Sequence, residues 1–200
     1  MSEPRTSVGI LIFPDVEELD FVGPWEVFTM AKLIGAPLDV FTFGWPDSNI
    51  TCAKGLKVTA DYPFADAPHA DVVVVPGGKG TRVLAQDDAF NAAIRSYLAA
   101  AKWQTSVCTG AALLARAGFL EGRQATTNRS ALDFLRAHAP HTYILDKRYV
   151  RDGNVLTSAG VSAGIDMSLW LVGHLFGEDM ARSTQTNMEY FPEPPYGKAS

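Results

Sequence analysis

The fold is decided by residues 102–118, which read KWQTSVCTGAALLARAG. The segment from Trp103 to Val107 fits a short buried strand, and the Ala- and Leu-rich segment after Gly110 fits a helix. Cys108 therefore stands where a strand turns into a helix. A sharp turn of this kind lifts a side chain clear of the sheet, as the serine is lifted in the G-x-S-x-G motif. We predict a nucleophile elbow with Cys108 at its tip.

The position of Cys108 also predicts a reactive thiol. A thiol at the N-terminal end of a helix faces unpaired N–H groups and the positive end of the helix dipole, and both favour the thiolate. Cysteines in such positions reach pKa values of roughly 3.5 to 7.5, against about 8.5 for an ordinary cysteine. The alternative is a small buried thiol that fills the end of a strand. The surrounding S-V-C-T-G-A sequence favours the reactive interpretation.

Composition restricts the size of the fold and the kinds of partner. The chain has 200 residues, of which 47% are hydrophobic and 20% are charged, and this predicts a single domain over residues 1–200. The net charge is −5 and the Lys and Arg residues are scattered, so no basic stripe is present for nucleic acid. The polar start MSEPRTS and the short apolar run after it predict neither a signal peptide nor a membrane span. We expect a cytoplasmic protein.

Cysteines, histidines and glycines give no sign of a metal or a cofactor. The two cysteines, Cys52 and Cys108, are too far apart in sequence to read as a disulfide framework. The four histidines show no zinc-ligand spacing with either cysteine. The glycines of PGGKG at 76–80 match neither the dinucleotide fingerprint nor the P-loop. We expect no metal, no cofactor and a small-molecule substrate.

Apolar runs alternate with helical patterns along the rest of the chain. Buried strands are predicted at 8–13 and 70–75, and helices at 89–102 and at about 161–176. Pro24, which follows a glycine, suits the first position of another helix. Alternating strands and helices predict an α/β fold in which helices flank a parallel sheet on both sides.

The predicted sheet brings three distant residues together. In an open α/β sheet the ligand crevice lies at the carboxyl ends of the strands. Asp20, Gly78 and Cys108 each follow a predicted strand, so we expect them to converge in this crevice.

Four stretches resemble the ThiJ/PfpI superfamily and, within it, the isonitrile hydratases: LIFPDVEELDFVGPWEV at 11–27, DVVVVPGGKG at 71–80, TSVCTGAALLARAGFLEGRQATT at 105–127 and VRDGNVLTSAGVSAGIDMSL at 150–169. They cover most of the chain in the family's order. The resemblance implies a flavodoxin-like, class I glutamine amidotransferase-like parallel-sheet sandwich and a homodimer. It also implies a cysteine-dependent lyase that hydrates isonitriles to N-substituted formamides through a thioimidate.

The resemblance further implies roles for individual residues. Cys108 corresponds to the nucleophile, and Asp20 corresponds to the carboxyl group that hydrogen-bonds its sulfur and donates a proton. Thr109 matches a threonine of the hydratases. Gly78 and the N–H of Thr109 are implied as donors that stabilise an anion, and Val161 lies in the segment that closes over the site.

Electrostatics supports the pairing of Asp20 with Cys108 independently. A carboxylate beside a thiolate is repulsive, so the pair is more stable if Asp20 keeps its proton, and we expect its pKa to be raised. The alternative is that Asp20 only satisfies the turn before Pro24.

The chain departs from the hydratase pattern after the elbow helix. Hydratases typically read T-T-H-W where this chain reads Thr126-Thr127-Asn128-Arg129. Proteases and amidotransferases of the superfamily usually have His directly after the nucleophile, where this chain has Thr109. Without either His, no Cys-His dyad for peptide or glutamine hydrolysis can be drawn. We expect Asn128 and Arg129 to reshape the substrate pocket without touching the chemistry.

Two other functions stay open on the sequence alone. In the first alternative, the same thiol attacks a different electrophile, such as a glyoxal-type carbonyl, as it does in other relatives of the superfamily. A non-catalytic ligand-binding or oxidation-sensing module also uses a low-pKa, exposed cysteine. For the expected homodimer, the candidate apolar surface consists of Trp25, Phe28, Tyr190, Phe191 and Tyr196.

Overall fold

A seven-stranded sheet forms the centre of the molecule. The computed structural model describes residues 5–193 and residue 196. The strands are β1 (Thr6–Ile12), β2 (Leu38–Gly44), β3 (Asn49–Thr51), β4 (Lys57–Thr59), β5 (Tyr62–Pro63), β6 (Val72–Val75), β7 (Trp103–Val107), β8 (Gln124–Ala125), β9 (Tyr143–Ile144), β10 (Tyr149–Asp152) and β11 (Val155–Ser158). The helices are α1 (Glu18–Leu33), α2 (Thr81–Leu84), α3 (Asp88–Ala100), α4 (Gly110–Arg116), α5 (Leu132–His138), α6 (Ala163–Phe176) and α7 (Glu178–Asn187).

The predicted α/β architecture is confirmed. The strand order is β10-β11-β7-β6-β1-β2-β5, and every neighbouring pair is parallel except the hairpin β10-β11. All four valines of β6 are fully buried, as a parallel strand covered on both faces requires. β3 and β4 form a separate hairpin, and β8 pairs with β9.

The elbow stretch folds as predicted. β7 ends at Val107, α4 begins at Gly110, and Cys108 stands between them with a φ of +56°. Gly110 is required for the close approach of α4 to the sheet, because a Cβ built on it would overlap the carbonyl oxygen of Val75. Gly110 therefore allows α4 to begin close to the sheet, directly after the turn that holds Cys108.

The first helix begins earlier than predicted. α1 starts at Glu18, so Pro24 lies inside the helix rather than at its first position. Acidic residues in the first turn favour this earlier start, because they face the positive end of the helix dipole. The extra turns place Asp20 on the buried face of α1, whereas Leu33, at the other end, is 78% exposed.

The C-terminal part holds a helix that the hydrophobic pattern did not predict. The predicted last helix is present as α6, but α7 follows directly after Gly177. α7 is mostly polar and buries only Thr184 fully, and its narrow inner face has only Met180 and Ala181 as apolar residues that pack against the core. The tail was predicted as extended, and its residues 194, 195 and 197–200 lie outside the described residues. Of the helices described, none is both long enough and apolar enough to span a bilayer.

The apolar surface predicted for a homodimer is only partly present. Phe28 is fully buried in the core beneath α1, so it offers nothing to a partner. Leu19 and Val22, on the outer side of the same helix, are 37% and 38% exposed. The homodimer stays a prediction.

Candidate active site

The candidate active site lies at the carboxyl ends of the parallel strands, where the sequence predicted it. Cys108 follows β7, Asp20 lies on α1 after β1, and Gly77 and Gly78 follow β6. The side chains of Asp20 and Cys108 come into contact, and a hydrogen bond from Cys108 lowers the pKa of the Asp20 carboxyl. Asp20 and Cys108 are far apart in sequence, but in the fold each changes the pKa of the other.

The backbone holds Cys108 in a strained conformation. A positive φ is uncommon for a residue with a side chain and costs about 1–3 kcal/mol. Its N–H donates to the carbonyl oxygens of Ser158 and Ala159, each at 3.1 Å. Its own carbonyl accepts from Thr127 Oγ1 at 2.8 Å. The neighbouring strand and loop therefore hold the elbow in place.

Asp20 is fully buried and incompletely paired. The N–H of Gly77 donates to its Oδ2 at 2.9 Å, while Oδ1 has no hydrogen-bond partner among the described residues. Burial is the main cause that raises the pKa of Asp20 to about 7, and the charge of Glu17 adds to it. The predicted upward shift is confirmed. At neutral pH the carboxyl group can therefore both accept and donate a proton.

The low pKa predicted for Cys108 is wrong. Burial raises the pKa of the thiol to about 12, and the negative charge of Asp20 adds to this effect. The residue is only 7% exposed, so solvent does little to stabilise a thiolate. α4 has seven residues, and its short N-terminal end does not offset the loss of water. The resting thiol keeps its proton and needs a base.

Thr109 contacts the sulfur, whereas Gly78 does not. Hydrogen bonds from the N–H and the side chain of Thr109 lower the pKa of the Cys108 thiol. The N–H of Gly78 donates to Thr109 Oγ1 at 3.0 Å. The N–H of Gly78 therefore holds Thr109 and is already engaged in this structure. The predicted donation from Gly78 to an anion would require this hydrogen bond to break.

Asn128 is the site residue that sequence reasoning missed. It was expected to leave the chemistry untouched, but its side chain hydrogen-bonds the Cys108 thiol and lowers its pKa. Asn128 Oδ1 accepts from the N–H of Ser130 at 2.9 Å and from Ser130 Oγ at 2.8 Å. Since the oxygen is engaged there, the amide nitrogen is the atom left for sulfur. The departure from T-T-H-W at this position was the only signal in the sequence.

The loop after β11 is shaped around Asn128. A Cβ built on Gly160 would overlap Asn128 Nδ2, so only glycine leaves room for the amide. The next residue, Val161, has a φ of +53°, which is rare for a β-branched residue. Val161 thus lies in a strained loop next to Gly160, and both its role in closing over the site and its contact with substrate stay predictions.

A cleft of about 450 Å³ lies beside the site on the Asn128 side. Its walls are Asn128, Arg129, Asp146, Lys147, Arg148 and the loop 159–160. Asn128 therefore faces both the sulfur and the cleft. Within the described part of the chain, no three His, Cys, Asp or Glu side chains gather where they could hold a metal ion.

Comparison with known proteins places the chain among relatives of similar length. A sequence profile of the DJ-1/PfpI family matches residues 6–173. The chain is 39% identical over 194 residues to an isonitrile hydratase from Pseudomonas putida, and the match covers 96% of this chain and 82% of the relative.

Solved structures extend the similarity to the fold. The crystal structure of a ThiJ/PfpI family protein from Pseudomonas syringae matches with a TM-score of 0.90 at 31% identity, over 98% of this chain and 80% of that one. DJ-1beta from Drosophila melanogaster matches with a TM-score of 0.80 at 22% identity, over 93% and 98%, which is a likeness of fold.

Proposed function

The chain belongs to the DJ-1/PfpI family, and from this premise we propose that it is an isonitrile hydratase-like enzyme. In this proposal it converts isonitriles to N-substituted formamides at Cys108, with Asp20 as the group that moves the proton. The observation that carries the proposal is the buried pair itself: a protonated thiol in contact with a carboxyl group whose pKa is about 7.

In the first step the thiol adds across the terminal carbon of the isonitrile. Asp20 accepts the thiol proton while the sulfur forms a bond to that carbon, and it then returns the proton to the same carbon. The product is a thioimidate in which the carbon carries one hydrogen and is bound to Cys108. Asp20 ends the step ionised, as it began. Because the pKa of the thiol, about 12, lies well above that of Asp20, about 7, the proton leaves as the carbon–sulfur bond forms and no free thiolate accumulates.

In the second step water releases the product. Water adds its oxygen to the thioimidate carbon and one proton to the nitrogen; as the carbon–sulfur bond breaks, the carbonyl forms and the remaining hydroxyl proton passes through Asp20 to the sulfur. The net change adds one water to the isonitrile and yields the formamide. This route uses one nucleophile and one proton carrier, so it needs no histidine.

Donors around the sulfur support the proposal. Thr109 and Asn128 both hydrogen-bond the thiol and lower its pKa, so they stabilise negative charge as it develops on sulfur during proton transfer. They are neutral donors in a buried site, where such contacts are stronger than in water. Asn128 thereby supplies a contact in the segment where hydratases have histidine.

The test is formamide production by the purified chain from alkyl and aryl isonitriles. We expect turnover of at least one isonitrile, followed by chromatography of the formamide against an enzyme-free control. Conversion of glyoxal-type carbonyls with no formamide from any isonitrile would favour the alternative enzyme. Absence of both activities would favour a ligand-binding module, because the buried Cys108 thiol with its raised pKa lacks the exposed, low-pKa character of an oxidation sensor.

Replacing Asn128 with Asp is expected to lower kcat/KM about 10²-fold. The aspartate keeps an oxygen for Ser130, as Asn128 does now, but it exchanges the amide donor at the sulfur for a second carboxylate oxygen. The added negative charge opposes charge on sulfur. The measurement is kcat/KM for formamide formation across pH. Asn187→Asp, an exposed change on α7, is the matched control, and equal activity in both variants would contradict a role for Asn128.

A further inference from the structure

We propose that the cleft beside Asn128 binds a carboxylate on the molecule that reacts at Cys108. The inference deepens the proposed function, on which it rests for the reaction, and it assigns an acidic substrate class. Three cationic side chains, Arg129, Lys147 and Arg148, line this cleft, and Asp146 is the only acidic residue among its walls. Arg129 and Arg148 are each paired with one carboxylate, Asp146 and Asp166, so the cleft keeps one positive charge in excess, on Lys147, although the whole chain has a net charge of −5.

Each arginine of the cleft is anchored but keeps free donors. Arg129 Nε donates to Asp146 Oδ1 at 2.8 Å, and its two terminal nitrogens have no partner among the described residues. Arg148 is held by Asp166 and donates through its Nη2 to the carbonyl oxygen of Ser162 at 3.1 Å, while Nη1 makes no hydrogen bond within residues 5–193. Anchoring orients both guanidinium groups before a ligand arrives and so lowers the entropy lost on binding.

Lys147 adds a third positive charge to the cleft. No acidic side chain of the described chain lies within ion-pair distance of its Nζ, whereas Arg129 and Arg148 each have one. The terminal nitrogens of a guanidinium match the two oxygens of a carboxylate, and a lysine adds a point charge. These side chains are exposed, at 66% for Arg129, so salt screens their attraction.

The cleft is adjacent to the reacting sulfur. Asn128 hydrogen-bonds the thiol and also forms a wall of the cleft. The carbonyl of Ala159, another wall residue, accepts the N–H of Cys108 at 3.1 Å. A substrate with its reactive carbon at the sulfur therefore extends its other end toward Arg129 and Lys147.

The first test is alkylation of Cys108, which needs no isonitrile activity. Iodoacetate and iodoacetamide are similar in size and differ in charge; with either reagent sulfur bonds to carbon, iodide leaves and the thiol proton passes to solvent. Rates are followed by mass spectrometry of the Cys108 peptide. We expect Arg129→Gln and Lys147→Gln each to lower the iodoacetate-to-iodoacetamide ratio about threefold, and the double variant to lower it about tenfold. Ionic strength near 1 M should have a similar effect.

Lys57→Gln removes a positive charge on β4, away from the cleft, and serves as the matched control. It should leave the ratio unchanged. An identical ratio in the wild type and in the double variant would overturn the inference.

The second test uses an isocyanoalkanoate and the isocyanoalkanamide of the same chain length. We expect kcat/KM about tenfold higher for the carboxylate, and a ratio close to one in the double variant. If isonitriles are hydrated without this preference, the inference fails and the proposed function stands. If no isonitrile is hydrated while the alkylation ratio responds to the variants, the proposed function fails and the carboxylate cleft stands.

Discussion

Replacing Cys108 with Ala is expected to lower formamide production at least about 10³-fold. The proposed reaction passes through a bond between Cys108 Sγ and the isonitrile carbon, so no other group in the site replaces it. The measurement is kcat/KM with the best isonitrile of the panel. Cys108→Ser tests the same point with nearly the same volume, because a hydroxyl is a far weaker acid than a thiol and Asp20 cannot deprotonate it as readily.

The second cysteine gives the control for this prediction. Cys52 is also buried, and burial raises the pKa of its thiol to about 11, but it is not among the groups that shift the pKa of Asp20 or of Cys108. Cys52→Ala should retain turnover. Loss of activity in both variants would show that removal of a buried thiol disturbs the fold, and retained activity in Cys108→Ala would exclude the thioimidate.

Fold class and elbow were predictable because they depend on local pattern. The run of valines in β6 and the strand-to-helix change around Cys108 are visible within a few residues. The start of α1 was not, because Pro24 is a strong local signal for a first helical position, while packing of the α1 face against the sheet and α6 decides the outcome. α7 was missed because its overall sequence is polar, and the few apolar residues on its inner face, such as Met180 and Ala181, do not form a hydrophobic run.

The electrostatics of the site was predictable only for Asp20. Resemblance paired it with Cys108 and the direction of its pKa shift was predicted correctly, but burial and Glu17 raise the pKa, whereas the contact with the protonated thiol lowers it. A low pKa was predicted for the Cys108 thiol from its place at a helix end. The depth of burial, which raises that pKa, is a property of the folded chain and no sequence pattern shows it. The contact of Asn128 with sulfur depends on a loop in which Ser130 and Gly160 position the amide.

Replacing Asp20 with Asn is expected to lower kcat/KM by about 10²- to 10⁴-fold. The amide oxygen still accepts the N–H of Gly77, as Asp20 Oδ2 does at 2.9 Å, but the side chain no longer takes the thiol proton. In the active form of the wild type the Cys108 thiol is protonated and Asp20 is ionised. As the pH is lowered through the Asp20 pKa of about 7, Asp20 binds a proton and kcat/KM should decrease. This acidic limb should vanish in the variant, and its persistence would assign the titration to another group.

Asp20→Asn should also stabilise the fold at neutral and alkaline pH. The pKa of Asp20 is raised from 3.8 to about 7 on folding, so the stability that the protonated carboxyl contributes is complete below 3.8 and is lost as pH rises toward 7. At about 1.4 kcal/mol per pKa unit, the loss is on the order of 4 kcal/mol, and an amide does not incur it. Urea unfolding at several pH values measures the difference between variant and wild type.

The carboxyl group of Asp71 gives a control of opposite sign for this effect. Burial alone would raise its pKa, but hydrogen bonds from Ser7 and an ion pair with Lys102 outweigh burial and lower it. Its contribution to stability is therefore present above the unfolded pKa, so Asp71→Asn should destabilise the protein at pH 7 while Asp20→Asn stabilises it. If both variants lose stability, the ionised Asp20 carboxylate stabilises the fold, and the proposal that its burial costs stability is wrong.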